Sequence, residues 1–175
     1  MLSKLKEELR FIRGNAAILM LSRSITDFAR NIPGTYYSLY ILALEGTPAI
    51  VGMINSVSLM VRAFIQFLGG YLADKHGRRD IIIIASFGLA ASHVILASAP
   101  TWAFIMAGEI LVSTFMVSLP ANSAMMADSI PSDKRGIGYS LSWLTSSVML
   151  ISPMVAGFLY VTQGLVSGTR IGLWI

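Results

Sequence analysis

Cysteine is absent from the 175 residues, which excludes disulfides and thiolate metal sites and says nothing about compartment. Histidine occurs only as His76 and His93, and no His/Glu spacing suggests a metal site, so neither metal nor cofactor is expected. Charge is scarce too. Asp, Glu, Lys and Arg make up 13% of the chain, about half of the roughly 25% found in soluble domains. With 55% hydrophobic residues and a mean hydropathy of +0.70, the chain is expected to have lipid as its solvent. The net charge of +4 is no nucleic-acid signal, because the basic residues sit between apolar spans rather than on one polar face. No short apolar core with a small-residue cleavage site follows the basic stretch Met1 to Arg13. Residues 1–15 therefore read as a cytoplasmic amphipathic lead-in, not a cleaved signal.

What the chain has in quantity is apolar runs of about 20 residues, each long enough to cross a bilayer core. The first runs from about Ala16 to Ala43, with a kink expected at Pro33-Gly34. The second, from about Ala49 to Ala73, ends in a charged patch, and the third runs from about Ile81 to Ala99. The fourth spans about Trp102 to Met126 with Pro120 inside it, and the fifth about Ile137 to Val161 with a kink at Pro153. A glycine-containing loop over Thr162 to Thr169 then leads to Arg170 to Ile175, which reads as the first turns of a sixth. Lys and Arg alternate between loops: nine lie in the N-terminal segment and the loops after the second and fourth runs, and one, Arg170, lies on the other side. That asymmetry puts the N-terminus in the cytoplasm.

The two charged loops carry the most specific signal. The first reads Gly-x-Leu-Ala-Asp-x-x-Gly-Arg-Arg from Gly70 to Arg79; the second runs Ala127-Asp128-Ser129-Ile130-Pro131-x-x-Lys134-Arg135-Gly136. Placed after the second and fourth runs, this pair resembles the major facilitator superfamily, whose signature loop the first matches at every defining position. The resemblance covers residues 16–175 as the N-terminal transmembrane bundle. It implies an all-α integral membrane fold of twelve helices in two six-helix halves, with substrate held between the halves at mid-membrane. Here five complete helices and the start of a sixth are expected, the C-terminal half being absent. It also implies gating roles. Gly70 would admit a helix of the other half, Gly77 makes the turn, and Asp74 pairs with Arg78 and an opposing helix N-terminus. Asp128 partners Arg78 or Arg79 in the same cluster. Ser152-Pro153-Met154-Val155-Ala156-Gly157 only partly resembles the Gly-Pro-x-x-x-Gly stretch of proton-driven exporters, Ser152 replacing the first glycine. A proline kink with a small packing residue is the better reading. One internal echo supports the three-plus-three inverted repeat of this architecture. Gly70 precedes Gly77 by seven residues, as Gly157 precedes Gly164.

Ionisable residues inside spans are costly and face a cavity or a partner. Asp27 and Arg62 fall near the midplane, roughly 16 Å and 18–20 Å along their runs, and Glu109 roughly 10–12 Å below the outer end of its own. Arg23, Asp27 and Arg30 share one helix face. Asp27 or Glu109 is the candidate proton carrier, with Arg30 or Arg62 tuning it or holding an anionic substrate. The competing structural reading is an ion-pair network such as Asp27 with Arg62. Tyr36, Tyr37 and Tyr40 read as interfacial anchors, and His93 as a packed, hydrogen-bonded neutral side chain.

These features point to transport of a small solute by a secondary active, alternating-access mechanism with the proton as coupling ion, in the cell membrane. The alternative is a non-transporting half that binds a partner chain, either the missing half or a second copy. No nucleophile–base pair supports an enzyme. Substrate identity and transport direction are not encoded in any motif.

Overall fold

The computed structural model describes residues 14–175, so Lys4, Lys6, Arg10 and Arg13, and nearly all of the expected amphipathic lead-in, lie outside the described residues. Every regular element among them is helical: α1 Asn15–Gly34, α2 Tyr37–Ala43, α3 Pro48–His76, α4 Arg78–Ala97, α5 Trp102–Phe115, α6 Ser118–Ser129, α7 Arg135–Ser146, α8 Ser152–Gln163 and α9 Leu165–Trp174. Short 3-10 turns at Ser132–Lys134 and Ser147–Ile151 bracket α7. Among the described residues, four segments are long and apolar enough to cross a membrane: Pro48–His76, Arg78–Ala97, Trp102–Ser129 and Ser132–Gln163. The first expected span is present as α1 and α2, but Arg23, Asp27 and Arg30 lower its apolarity and a break divides it.

Proline sets the breaks. Pro33 sits in the last turn of α1, and the helix stops at Gly34 before resuming at Tyr37. The fourth run, expected to be continuous, divides at Met116–Val117. Pro120 lies four residues after Met116 and has no N–H to offer its carbonyl; the amide of Leu119 donates there instead, at 3.0 Å. The fifth run divides in the same way ahead of Pro153.

Two expected loops turn out to be single residues. Helix α3 continues through Asp74, Lys75 and His76, and α4 begins at Arg78, so Gly77 alone makes the corner, at φ 90°. The span from Thr162 to Thr169 is likewise helical on both sides of Gly164, at φ 80°, and the sixth helix starts at Leu165 rather than Arg170. Both corner glycines donate their amide to the carbonyl four residues earlier, Gly77 to Ala73 at 3.1 Å and Gly164 to Tyr160 at 2.9 Å. The spacing echo in the sequence is thus a repeated corner.

Packing forms two apolar clusters. Tyr40, Ile41, Ile54, Leu96, Ile105 and Val112 belong to a core near the end opposite the Gly77 corner. Ala16, Met20, Met126 and Ile130 form a smaller one near the corner. Tyr40 is fully buried and donates to the Leu96 carbonyl at 3.1 Å; it is a core residue, not the interfacial anchor its position in the sequence suggests. Glu109 lies on α5 between Ile105 and Val112 of the first cluster, and Arg30 reaches Met116 at its edge.

Candidate functional site

At the charged end, Gly77 places Arg78 in the first turn of α4, from which its side chain reaches two carboxylates. It pairs with Asp128 near the end of α6 and stands 3.9 Å from Asp74 at the end of α3. Each carboxylate lies where its own helix terminus disfavours an anion, and Arg78 supplies the opposing charge to both. Arg79 is exposed and makes no ion pair among the described residues. Arg135 Nε donates to the Ala127 carbonyl at 3.2 Å, tying the second charged loop back onto α6. Asp74 remains largely exposed, its side chain retaining 75% of its accessible surface. Of the paired glycines, Gly69 packs within this bundle: a Cβ there would lie 2.8 Å from the Val117 carbonyl oxygen. Gly70 faces open space.

At mid-depth, a cavity of about 200 Å³ lies between α1, α4, α6 and α7. Helix α1 presents Thr26, Asp27 and Arg30 to it, while Asn122 of α6 and Tyr139 and Ser142 of α7 add polar groups from the far wall. Asp27 pairs with Arg23, one turn earlier, at 3.5 Å. The expected alternative, Asp27 with Arg62, does not occur: the i,i+4 geometry on one helix face holds the closer cation. Arg23 also lies over the Trp143 ring, 5.7 Å from its centroid.

The candidates do converge. Arg30 of α1 lies within electrostatic reach of Asp27, of Arg62 on α3 and of Glu109 on α5. Yet its hydrogen-bond partner is Met116 Sδ, at 3.9 Å, a weak acceptor. Arg62 Nε is buried without a hydrogen-bond partner. The Tyr37 hydroxyl faces Glu109 but makes no hydrogen bond of normal geometry. Tyr37 is therefore turned into the bundle rather than toward an interface. Arg62 and Glu109 do not line the cavity; Asp27 and Arg30 do.

Two residues make contacts that the sequence did not show. The Met149 carbonyl, which Pro153 leaves without its usual amide donor, accepts from both the amide and the hydroxyl of Ser152. Arg170 of α9 donates through Nη2 to the Ala99 carbonyl at 2.7 Å and through Nε to the Tyr40 hydroxyl at 3.5 Å. Its sequence signal was its place as the lone cation in the loops on the other side, which calls for an internal acceptor. His93 behaves as expected, Nδ1 donating to the Leu89 carbonyl at 2.8 Å.

Comparison with known proteins places this arrangement. The chain is similar to a multi-drug resistance efflux pump PmrA homolog of Lactococcus lactis, 29% identical over 62% of the chain and 27% of that protein. It is similar to the multidrug resistance protein MdtG of Klebsiella pneumoniae, 24% identical over 83% of the chain and 37% of that protein. It also resembles the putative metabolite transport protein YncC of Bacillus subtilis, 35% identical over 53% of the chain and 20% of that protein. The chain thus matches only about a fifth to a third or so of the length of these relatives. No solved structure matches it. The family model for the Major Facilitator Superfamily matches residues 19–174, and with the signature corner, its paired carboxylates and the apolar spans in place, the chain belongs to that superfamily as an integral, multi-pass membrane protein.

Proposed function

We propose that the chain is the N-terminal bundle of a secondary active transporter that moves a small solute by alternating access, driven by protons. The observation that carries this reading is the convergence of Asp27, Arg30, Arg62 and Glu109 from three helices at mid-depth, where ionisable groups are expensive unless they serve a pathway. Asp27 opens onto the cavity and is the proton carrier; Glu109, facing Tyr37 behind it, is the second candidate. Gly77, Arg78, Asp74 and Asp128 form the gate at the charged end, which the distribution of Lys and Arg assigns to the cytoplasm, with the N-terminus. Gly70 and the exposed Asp74 are the surfaces offered to a C-terminal bundle or to a second copy of this one. Two of the similar proteins are named for drug resistance and one for metabolite transport, so direction and solute are separate questions.

The test is solute flux driven by a pH gradient in proteoliposomes that hold this bundle with its completing half. Asp27→Asn is expected to abolish the dependence of flux on the pH gradient while leaving solute binding in place, and Glu109→Gln to reduce it. Flux that keeps its full pH dependence in both variants would remove the proton-carrier assignment.

A further inference from the structure

The charges around the mid-depth cavity do not balance. Arg23, Arg30 and Arg62 stand against Asp27 and Glu109, and the one ion pair among them joins Arg23 to Asp27. With that pair set aside, Arg30 and Arg62 bring two positive charges against the single carboxylate of Glu109, which makes an ion pair with neither. Arg30 is the one that lines the cavity. It spends a hydrogen bond on the thioether of Met116, although a partly buried guanidinium gains far more from an oxyanion. Arg62 adds a second positive charge behind it, with Nε buried and unpartnered. A guanidinium in a net-positive surrounding, with a thioether as its hydrogen-bond partner, selects an anion of single charge at low dielectric.

The rest of the lining narrows the class. Asn122, Ser142 and Tyr139 offer neutral polar groups, whereas Leu19, Leu119 and Met126 offer apolar surface. The planar fork of a guanidinium matches a carboxylate in two parallel hydrogen bonds. We infer that Arg30 is the anchor of a binding site for a small monocarboxylate with an apolar body, seated in the cavity between α1, α4, α6 and α7. The assignment rests on the transport reading only for its biological purpose; the site itself is an equilibrium property of the protein. Within an alternating-access cycle, the bound carboxylate supplies the counter-charge that Glu109 gives only at a distance.

The experiment is calorimetric titration of the full-length protein in detergent with three probes of one shape: benzoate, benzyl alcohol and benzylamine. Benzoate is expected to bind saturably, and at least tenfold more tightly than either of the other two. Arg30→Gln is expected to lose that preference, and Arg30→Lys, which keeps the charge but not the fork, to retain part of it. Thermal unfolding of each variant checks that the fold survives, and Arg62→Gln provides a second arm, expected to weaken benzoate without changing benzyl alcohol. Absence of benzoate binding, equal binding of benzyl alcohol, preference for benzylamine, or an unchanged benzoate affinity in a folded Arg30→Gln would each overturn the assignment. Failure of proton-driven flux with benzoate binding intact would instead defeat the transport reading alone.

Discussion

Ser152 illustrates how much a single hydroxyl can do in lipid. Pro153 removes one backbone donor, and no water is at hand to satisfy Met149 in its place; the Ser152 amide turns back to that carbonyl and the Ser152 hydroxyl adds a second hydrogen bond to it. Ser152→Ala is expected to cost about 1 kcal/mol, read as a lower melting temperature in detergent, with Ser152→Thr close to the parent. A similar contrast separates two adjacent glycines. Gly69→Ala drives a methyl toward the Val117 carbonyl, 2.8 Å away, and is expected to cost about 1–3 kcal/mol. Gly70→Ala meets nothing and is expected to leave the melting temperature of the bundle unchanged. If it nonetheless impairs flux, the surface it occupies is one that a partner covers. The sequence showed a Gly-Gly pair but not the rotation of α3, which packing against α6 decides.

At the scale of the helix, the two corner glycines make the same demand. Gly164, at φ 80° and ψ 166°, and Gly77, at φ 90° and ψ 131°, occupy backbone conformations that a side chain resists. Alanine at either position is expected to cost about 1–3 kcal/mol, and the two costs to add because the sites are distant. Melting curves of the single and double variants check both points. Proline and glycine made the elements legible: the break before Pro153 follows from a missing amide, and the first helix ends at Pro33-Gly34. What misled was polarity. The stretch Asp74 to Asp80 reads as a loop because it is charged, yet helices tolerate charge at their ends in water, and a positive-φ glycine can reverse a chain in one residue. The convergence of Asp27, Arg30, Arg62 and Glu109 was legible as depth, from counting residues along spans. Their pairing was not: Asp27 meets Arg23 because the nearer partner sits on its own helix, and sequence separation says nothing about which helix faces which.

For the whole molecule, the Arg78 cluster and the Arg170 cluster hold opposite ends by different means. Asp74 and Asp128 are exposed, so the Arg78–Asp128 coupling is expected to be worth less than about 1 kcal/mol in a double-mutant cycle on stability and to fall as salt rises. A pair so weak fits the gating role proposed for it. Arg170 instead donates to Ala99 and Tyr40, both fully buried. Arg170→Ala strands those acceptors and is expected to cost about 1–3 kcal/mol, a larger drop in melting temperature than any single change in the Arg78 cluster.

Arg170 also sets a clock. A chain is made from its N-terminus, so Tyr40 and Ala99 are already in the bilayer when residue 170 leaves the ribosome. Until it arrives, α2 and the end of α4 are joined by the Tyr40–Leu96 hydrogen bond and by apolar packing, with no cation between them. Within the described bundle this contact is thus the last of its members to be made, Arg170 of α9 reaching back to groups on α2 and beside the end of α4.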